Sequence, residues 1–122
     1  MVDDVTYVFE NDELIIGKWQ YFDFVQSELS FDPYQSYWVG EVIIDEIEFM
    51  PDGLIEINIS GNSYQATPKW TKNHVINGEE MTNSSYVIYV HEGIEYLFLE
   101  WKSGDYIYRD MKPYYYVFRR MV

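Results

Sequence analysis

Three carboxylates stand in apolar, strand-like surroundings, where an ionised side chain is costly unless it is paired. They are Asp23 in Tyr21-Phe22-Asp23-Phe24-Val25, Asp45 between Ile43 and Ile47, and Glu100 between Leu99 and Trp101. A buried carboxylate can serve as a general acid or base. It also accepts a hydrogen bond from a tyrosine hydroxyl, and the chain has 13 tyrosines. Structural hydrogen bonding is the simpler assignment, and we expect no enzymatic activity. His74 and His91 are the only histidines and have no third ligand at a metal-site spacing, so no metal or other cofactor is expected. The chain has no cysteine, which excludes a thiol nucleophile, a disulfide framework and a Cys-ligated zinc or iron–sulfur site.

The remaining chemistry is that of binding. With 21 acidic and 8 basic side chains the net charge is −13, which argues against nucleic acid as a partner. The one locally basic stretch, Lys69-Trp70-Thr71-Lys72, reads as a strand whose lysines reach solvent. Residues 1–56 hold 14 acids against Lys18 alone, while the rest of the chain is balanced. That half reads as a solvated acidic face, or as a surface that meets a basic protein partner. Tyrosines concentrate at the other end, from Tyr86 and Tyr89 through Tyr114, Tyr115 and Tyr116. Such residues make either a packed aromatic core or an amphipathic cavity for a flat, partly polar small molecule. No basic leader with an apolar region opens the sequence, and no run approaches the ~18 apolar residues of a membrane helix. The expectation is a soluble, cytoplasmic chain with no membrane insertion.

The elements that must position these residues have a period of two. Glu46-Ile47-Glu48-Phe49 and Ile55-Glu56-Ile57-Asn58-Ile59 alternate as half-buried strands do, and Met50-Pro51-Asp52-Gly53 between them has the composition of a hairpin turn. His91-Glu92-Gly93 and Lys102-Ser103-Gly104-Asp105 mark further turns. Eight strands are expected, at about 14–25, 38–50, 54–60, 68–77, 84–91, 94–102, 105–110 and 114–121. Tight connections favour an all-β fold: a single antiparallel up-and-down eight-stranded barrel over residues 13–122, preceded by an arm or short helix over 1–12. Residues 26–37 form the longest connection, with Leu29, Phe31, Tyr34 and Tyr37, and suit either a lid over the barrel mouth or a cover on its flank. If Trp19 points inward, Tyr21, Asp23 and Val25 share its face, and a one-residue slip sends Asp23 to solvent. In strand six the more apolar set, Leu97, Leu99 and Trp101, is assigned to the interior. Glu100 and Lys102 then form an outside pair of little energetic weight.

Gly17-Lys18-Trp19 in the first strand, with Arg119 and Arg120 ending the last, resembles the lipocalin (calycin) superfamily, in which a basic side chain lies across the tryptophan at the closed end of the barrel. The runs Glu100-Trp101-Lys102-Ser103-Gly104-Asp105-Tyr106 and Met111-Lys112-Pro113-Tyr114-Tyr115-Tyr116-Val117 resemble a small bacterial lipocalin-like domain, found alone or appended to beta-lactam-sensor-type membrane metallopeptidases. No His-Glu-x-x-His accompanies them. The resemblance implies barrel closure by Gly17, Trp19, Arg119 and Arg120, and a binding or sensing role. The candidate ligand-binding residues are Tyr21, Asp23, Phe31, Tyr34, Phe49, Tyr86, Trp101 and Tyr115, facing a small apolar or aromatic molecule. The alternative is a protein-interaction or sensor-accessory domain with a filled barrel.

Overall fold

The computed structural model describes residues 3–34, 44–102 and 112–121. Among them the strands are β1 Gly17–Val25, β2 Glu46–Phe49, β3 Ile55–Ile59, β4 Asn62–Gln65, β5 Lys69–Thr71, β6 His74–Asn77, β7 Thr82–His91, β8 Ile94–Trp101 and β9 Tyr114–Arg120. The one helical element is a 3-10 turn, Glu28–Ser30. All nine strands join one curled antiparallel half-barrel sheet in the order β4-β3-β2-β1-β9-β8-β7-β6-β5. No helix among the described residues is long and apolar enough to cross a membrane.

The turns explain where the strands stop. Gly53 takes a left-handed φ of 88° and closes Phe49 onto Ile55. Glu92 and Gly93 (φ 51° and 79°) join His91 to Ile94 in a two-residue turn whose twist suits the flanking strands. Two further turns escaped the sequence reading. Ser60 and Gly61, both at positive φ, fold β4 back on β3. β4 is fully exposed and polar, so no apolar alternation announced it. Asn73, at φ 71°, splits the expected strand 68–77 into β5 and β6, because asparagine tolerates the left-handed conformation. The expected strand 105–110 lies outside the described residues. β8 pairs directly with β9, from Tyr96 opposite Arg119 to Trp101 opposite Tyr114, so the sheet passes from one to the other with nothing between.

Both faces of the sheet's centre are buried. The inner face packs Trp19, Ile47, Phe49, Trp70, Tyr86, Leu97, Leu99, Tyr116 and Phe118 into the main core. The outer face packs Val25, Tyr96, Phe98 and Val117 beneath Phe22, Phe31 and Tyr115. β8 therefore reads as a continuous apolar run, since Tyr96, Leu97, Phe98 and Leu99 are all buried.

A β-bulge in β1 corrects the expected face of Asp23. Tyr21 opposes Phe118 and Asp23 opposes Val117, so the extra residue Phe22 shifts the alternation by one. Cross-strand partners share a face, which moves Asp23 and Val25 to the outer side with Val117. Asp23 is completely buried there, and its Oδ1 accepts the Phe24 N–H at 2.8 Å. Asp45 is exposed rather than buried, and its Oδ2 accepts the Ser60 N–H at 2.8 Å.

Residues 3–12 form an extended arm with no helical turn. The Asp3 carboxylate binds the Asn83 N–H and the Lys102 Nζ, both at 2.9 Å. The Glu10 N–H donates to the Thr71 hydroxyl, and the Phe9 ring meets Trp70 edge-on at 5.2 Å. Asp12 ends the arm by accepting the Tyr86 hydroxyl at 2.6 Å. Burial and the Asp12 carboxylate both raise the Tyr86 pKa above its ordinary value of 10.0. The folded protein therefore holds this proton more tightly than the unfolded chain. Its contribution is complete below about pH 10 and is lost as pH rises further. Unfolding free energies from urea titrations at about pH 8 to 11 should fall more steeply above pH 10 for the wild type than for Tyr86→Phe, by about 1 kcal/mol per pH unit.

Candidate functional site: a cavity inside the curled sheet

At one end the interior is filled and tied. The Arg120 guanidinium lies over the Trp19 ring, 4.1 Å from its centroid. Its Nη1 donates to the Ile16 carbonyl at 2.6 Å, its Nη2 to the Leu14 carbonyl, and its Nε to Glu95 Oε2 at 3.1 Å. The Trp19 indole N–H donates to the Ile15 carbonyl at 2.9 Å. Gly17 is required at this point: it has φ 120°, and a Cβ there would stand 3.1 Å from Arg120 Nη1. Arg119 does not join the knot but covers Phe22 on the outer face, 4.8 Å from the ring centroid. Glu95 went unrecognised in the sequence, because only the pairing of β8 with β9 places it near Arg120.

Towards the other end the packing stops short. A cavity of about 600 Å³ lies against the inner face, lined by Ile44, Ile47, Ile57, Val75, Leu99 and Trp101, with Thr82 and Ser84 on the β7 wall. Gln65, Asn77 and Glu80 also border it, as do Glu100 and Lys102. Trp101 stands edge-on to Tyr116 at 5.1 Å and closes one side. A further hollow of about 620 Å³ separates the arm from β5 and β6, bordered by Tyr7 and Phe9 and by the charged Asp52, Lys69 and Glu79. It is a cleft beside the arm, outside the main core.

Of the eight ligand-binding candidates, only Trp101 lines the inner cavity. Tyr21, Phe49 and Tyr86 lie on the inner face as packed core side chains. Asp23, Phe31 and Tyr115 belong to the outer face. The Phe31 ring meets Tyr96 at 5.0 Å and Phe98 at 4.9 Å, so the described part of segment 26–37 covers the sheet's flank, not a cavity mouth. Glu28 and Tyr34 anchor that cover: Tyr89 donates to Glu28 Oε2 and Tyr34 to Glu92 Oε1, each at 2.8 Å. The physical reason is the double burial of β8, whose outer aromatic row needs a partner more than the interior needs a lid. Residues 35–37 lie outside the described set.

The expected idle outside pair, Glu100 and Lys102, is in fact engaged. The Glu100 Oε1 accepts both the Ser85 N–H and hydroxyl, at 2.8 and 3.0 Å, and the Lys102 Nζ bridges Asp3 and the Asn83 carbonyl. The like face of the neighbouring strand holds Tyr115, whose hydroxyl is pushed up in pKa by burial and by Glu100. The His74 ring lies tilted against Tyr7 at 4.5 Å and His91 meets Tyr34 at the surface.

Comparison with protein-family models, curated proteins and solved structures returned no match.

Proposed function

We propose that this chain is a non-enzymatic, lipocalin-like binder that holds a small apolar or aromatic molecule inside the curled sheet. The observation carrying the proposal is the inner cavity of about 600 Å³, whose wall is mainly isoleucine, valine, leucine and tryptophan. That volume lies within the usual range for small-molecule sites, about 300–1,000 Å³. In this reading β4 and β5 act as one bent stave. The Ala66 N–H reaches the Ile55 carbonyl at 2.8 Å and the Trp70 N–H reaches Gly53 at 2.9 Å, which ties residues 66–70 to the β2–β3 hairpin. On this count the proposed barrel has eight up-and-down staves; its support is the sheet order, in which β9 lies beside β1. The Trp19–Arg120 knot closes its filled end and leaves Trp101 beside the ligand.

Native mass spectrometry of the purified protein, with Trp fluorescence read against a panel of apolar aromatics, tests the proposal. The expected result is a co-purifying mass, or saturable quenching that Trp101→Phe diminishes. Neither a bound mass nor quenching by any member of the panel would refute it.

A further inference from the structure

Among the described residues, two hydroxyls on the cavity wall have no protein partner. Thr82 is 4% and Ser84 is 8% exposed, so both are buried polar side chains. Thr82 pairs with Asn77 and Ser84 with the core residue Val75, which puts both on the inner face of β7, two residues apart. Both border the cavity, and among the described residues neither hydroxyl makes a hydrogen bond. Neither hydroxyl oxygen is sealed from solvent, so each opens onto the cavity, where a water or a polar ligand atom can pair with it. Successive side chains on one face of a strand stand about 6.6–6.8 Å apart, so the pair can hold two polar atoms of one molecule, or one atom and a water.

The charges nearby constrain the class of that molecule. Lys102 is committed to Asp3 and the Asn83 carbonyl, at 2.9 and 2.6 Å, and it shares its strand face with Glu100, away from Leu99. Arg119 and Arg120 are held at the opposite end. Val75, Leu99 and Trp101 supply an apolar wall, and Lys102, the one cation among the described lining residues, is already paired with Asp3. We infer that the ligand is an uncharged, mainly apolar molecule with a hydroxyl or carbonyl group, and that Thr82 and Ser84 are the residues that recognise it. This rests on the cavity being a binding site. It goes further by naming the polar group that the site selects and the anions that it rejects.

Three probes on one ring system test it: pyrene, 1-pyrenemethanol and pyrene-1-carboxylate, titrated against Trp fluorescence. The alcohol should bind on the order of tenfold more tightly than pyrene, since a site built to hydrogen-bond discriminates against a ligand lacking the group. The carboxylate should bind weakest. In Thr82→Val/Ser84→Ala the alcohol should fall to the affinity of pyrene, and retained pyrene binding reports that the variant is folded. Equal affinity of the wild type for pyrene and its alcohol, or preference for the carboxylate, overturns this inference while leaving the cavity as a site. Binding of none of the three overturns both. The wild-type comparison is decisive even if the double variant does not fold.

Discussion

Replacing Arg120 with alanine is expected to cost about 3 kcal/mol of stability, the cost typical of breaking a largely buried charged contact. One side chain supplies four interactions here. It covers the Trp19 ring at 4.1 Å, donates to the Leu14 and Ile16 carbonyls, and pairs with Glu95 at 3.1 Å. Its removal leaves two carbonyls and a half-buried carboxylate without their donor, and uncovers a tryptophan that is otherwise fully buried. Arg120→Lys should recover less than half of the loss, because an ammonium cannot reach all the acceptors in the fork geometry of a guanidinium. Glu95→Gln should cost only about 1 kcal/mol, since it leaves the stacking and both carbonyl bonds in place. Urea denaturation read by Trp fluorescence measures all three. A loss below about 0.5 kcal/mol for Arg120→Ala, the range of ordinary surface substitutions, would show that the knot is ornamental.

Filling the cavity should abolish binding without unfolding the chain. Ile57 is only partly buried, borders the cavity from β3 and packs at the margin of the main core. Ile57→Trp places an indole in the space that the ligand would occupy. We expect affinity for an apolar aromatic probe to fall by about 100-fold or more, as excluding a ligand from its pocket removes most of its apolar burial. Thermal stability should hold or rise, because new apolar contacts replace an open volume. Ile94→Trp is the control, being 41% exposed at the β7–β8 turn and away from the cavity lining, and should leave affinity within about twofold. Unchanged binding by Ile57→Trp would put the ligand elsewhere.

What the sequence made legible follows from which signals are local. Met50-Pro51-Asp52-Gly53 and Glu92-Gly93 carry their turn geometry in their own residue types, and the hairpins stand where those types put them. Leu97, Leu99 and Trp101 share the inner face, as their greater apolarity suggested. The bulge at Phe22 was not legible. Tyr21, Phe22, Phe24 and Val25 are apolar or aromatic on both sides, so a shift of one residue leaves the pattern unchanged while turning Asp23 round. For the same reason the sequence leaves Phe31 to either a lid or a flank cover: nothing local tells an aromatic over a cavity from one over a flank. Thr82 and Ser84 were passed over because the strand expected at 84–91 leaves Thr82 outside it and has Ser84 only as its first residue. Pairing with β6 extends that strand back to Thr82 and sets both hydroxyls on its inner face. Glu95, Asp3 and Asp12 act through partners 25, 99 and 74 residues away in sequence, a distance at which composition and periodicity carry no information.

The central claim, that the interior of the curled sheet receives a small apolar molecule, is tested most directly by isoleucine methyl NMR during titration with 1-pyrenemethanol. Ile44, Ile47 and Ile57 line the cavity, Ile15 is sealed in the core beside Trp19, and Ile94 is exposed at a turn. The prediction is saturable shifts in the methyls of Ile44, Ile47 and Ile57, with Ile15 and Ile94 unmoved. Shifts confined to Ile94, or none at a concentration that saturates fluorescence, would contradict it.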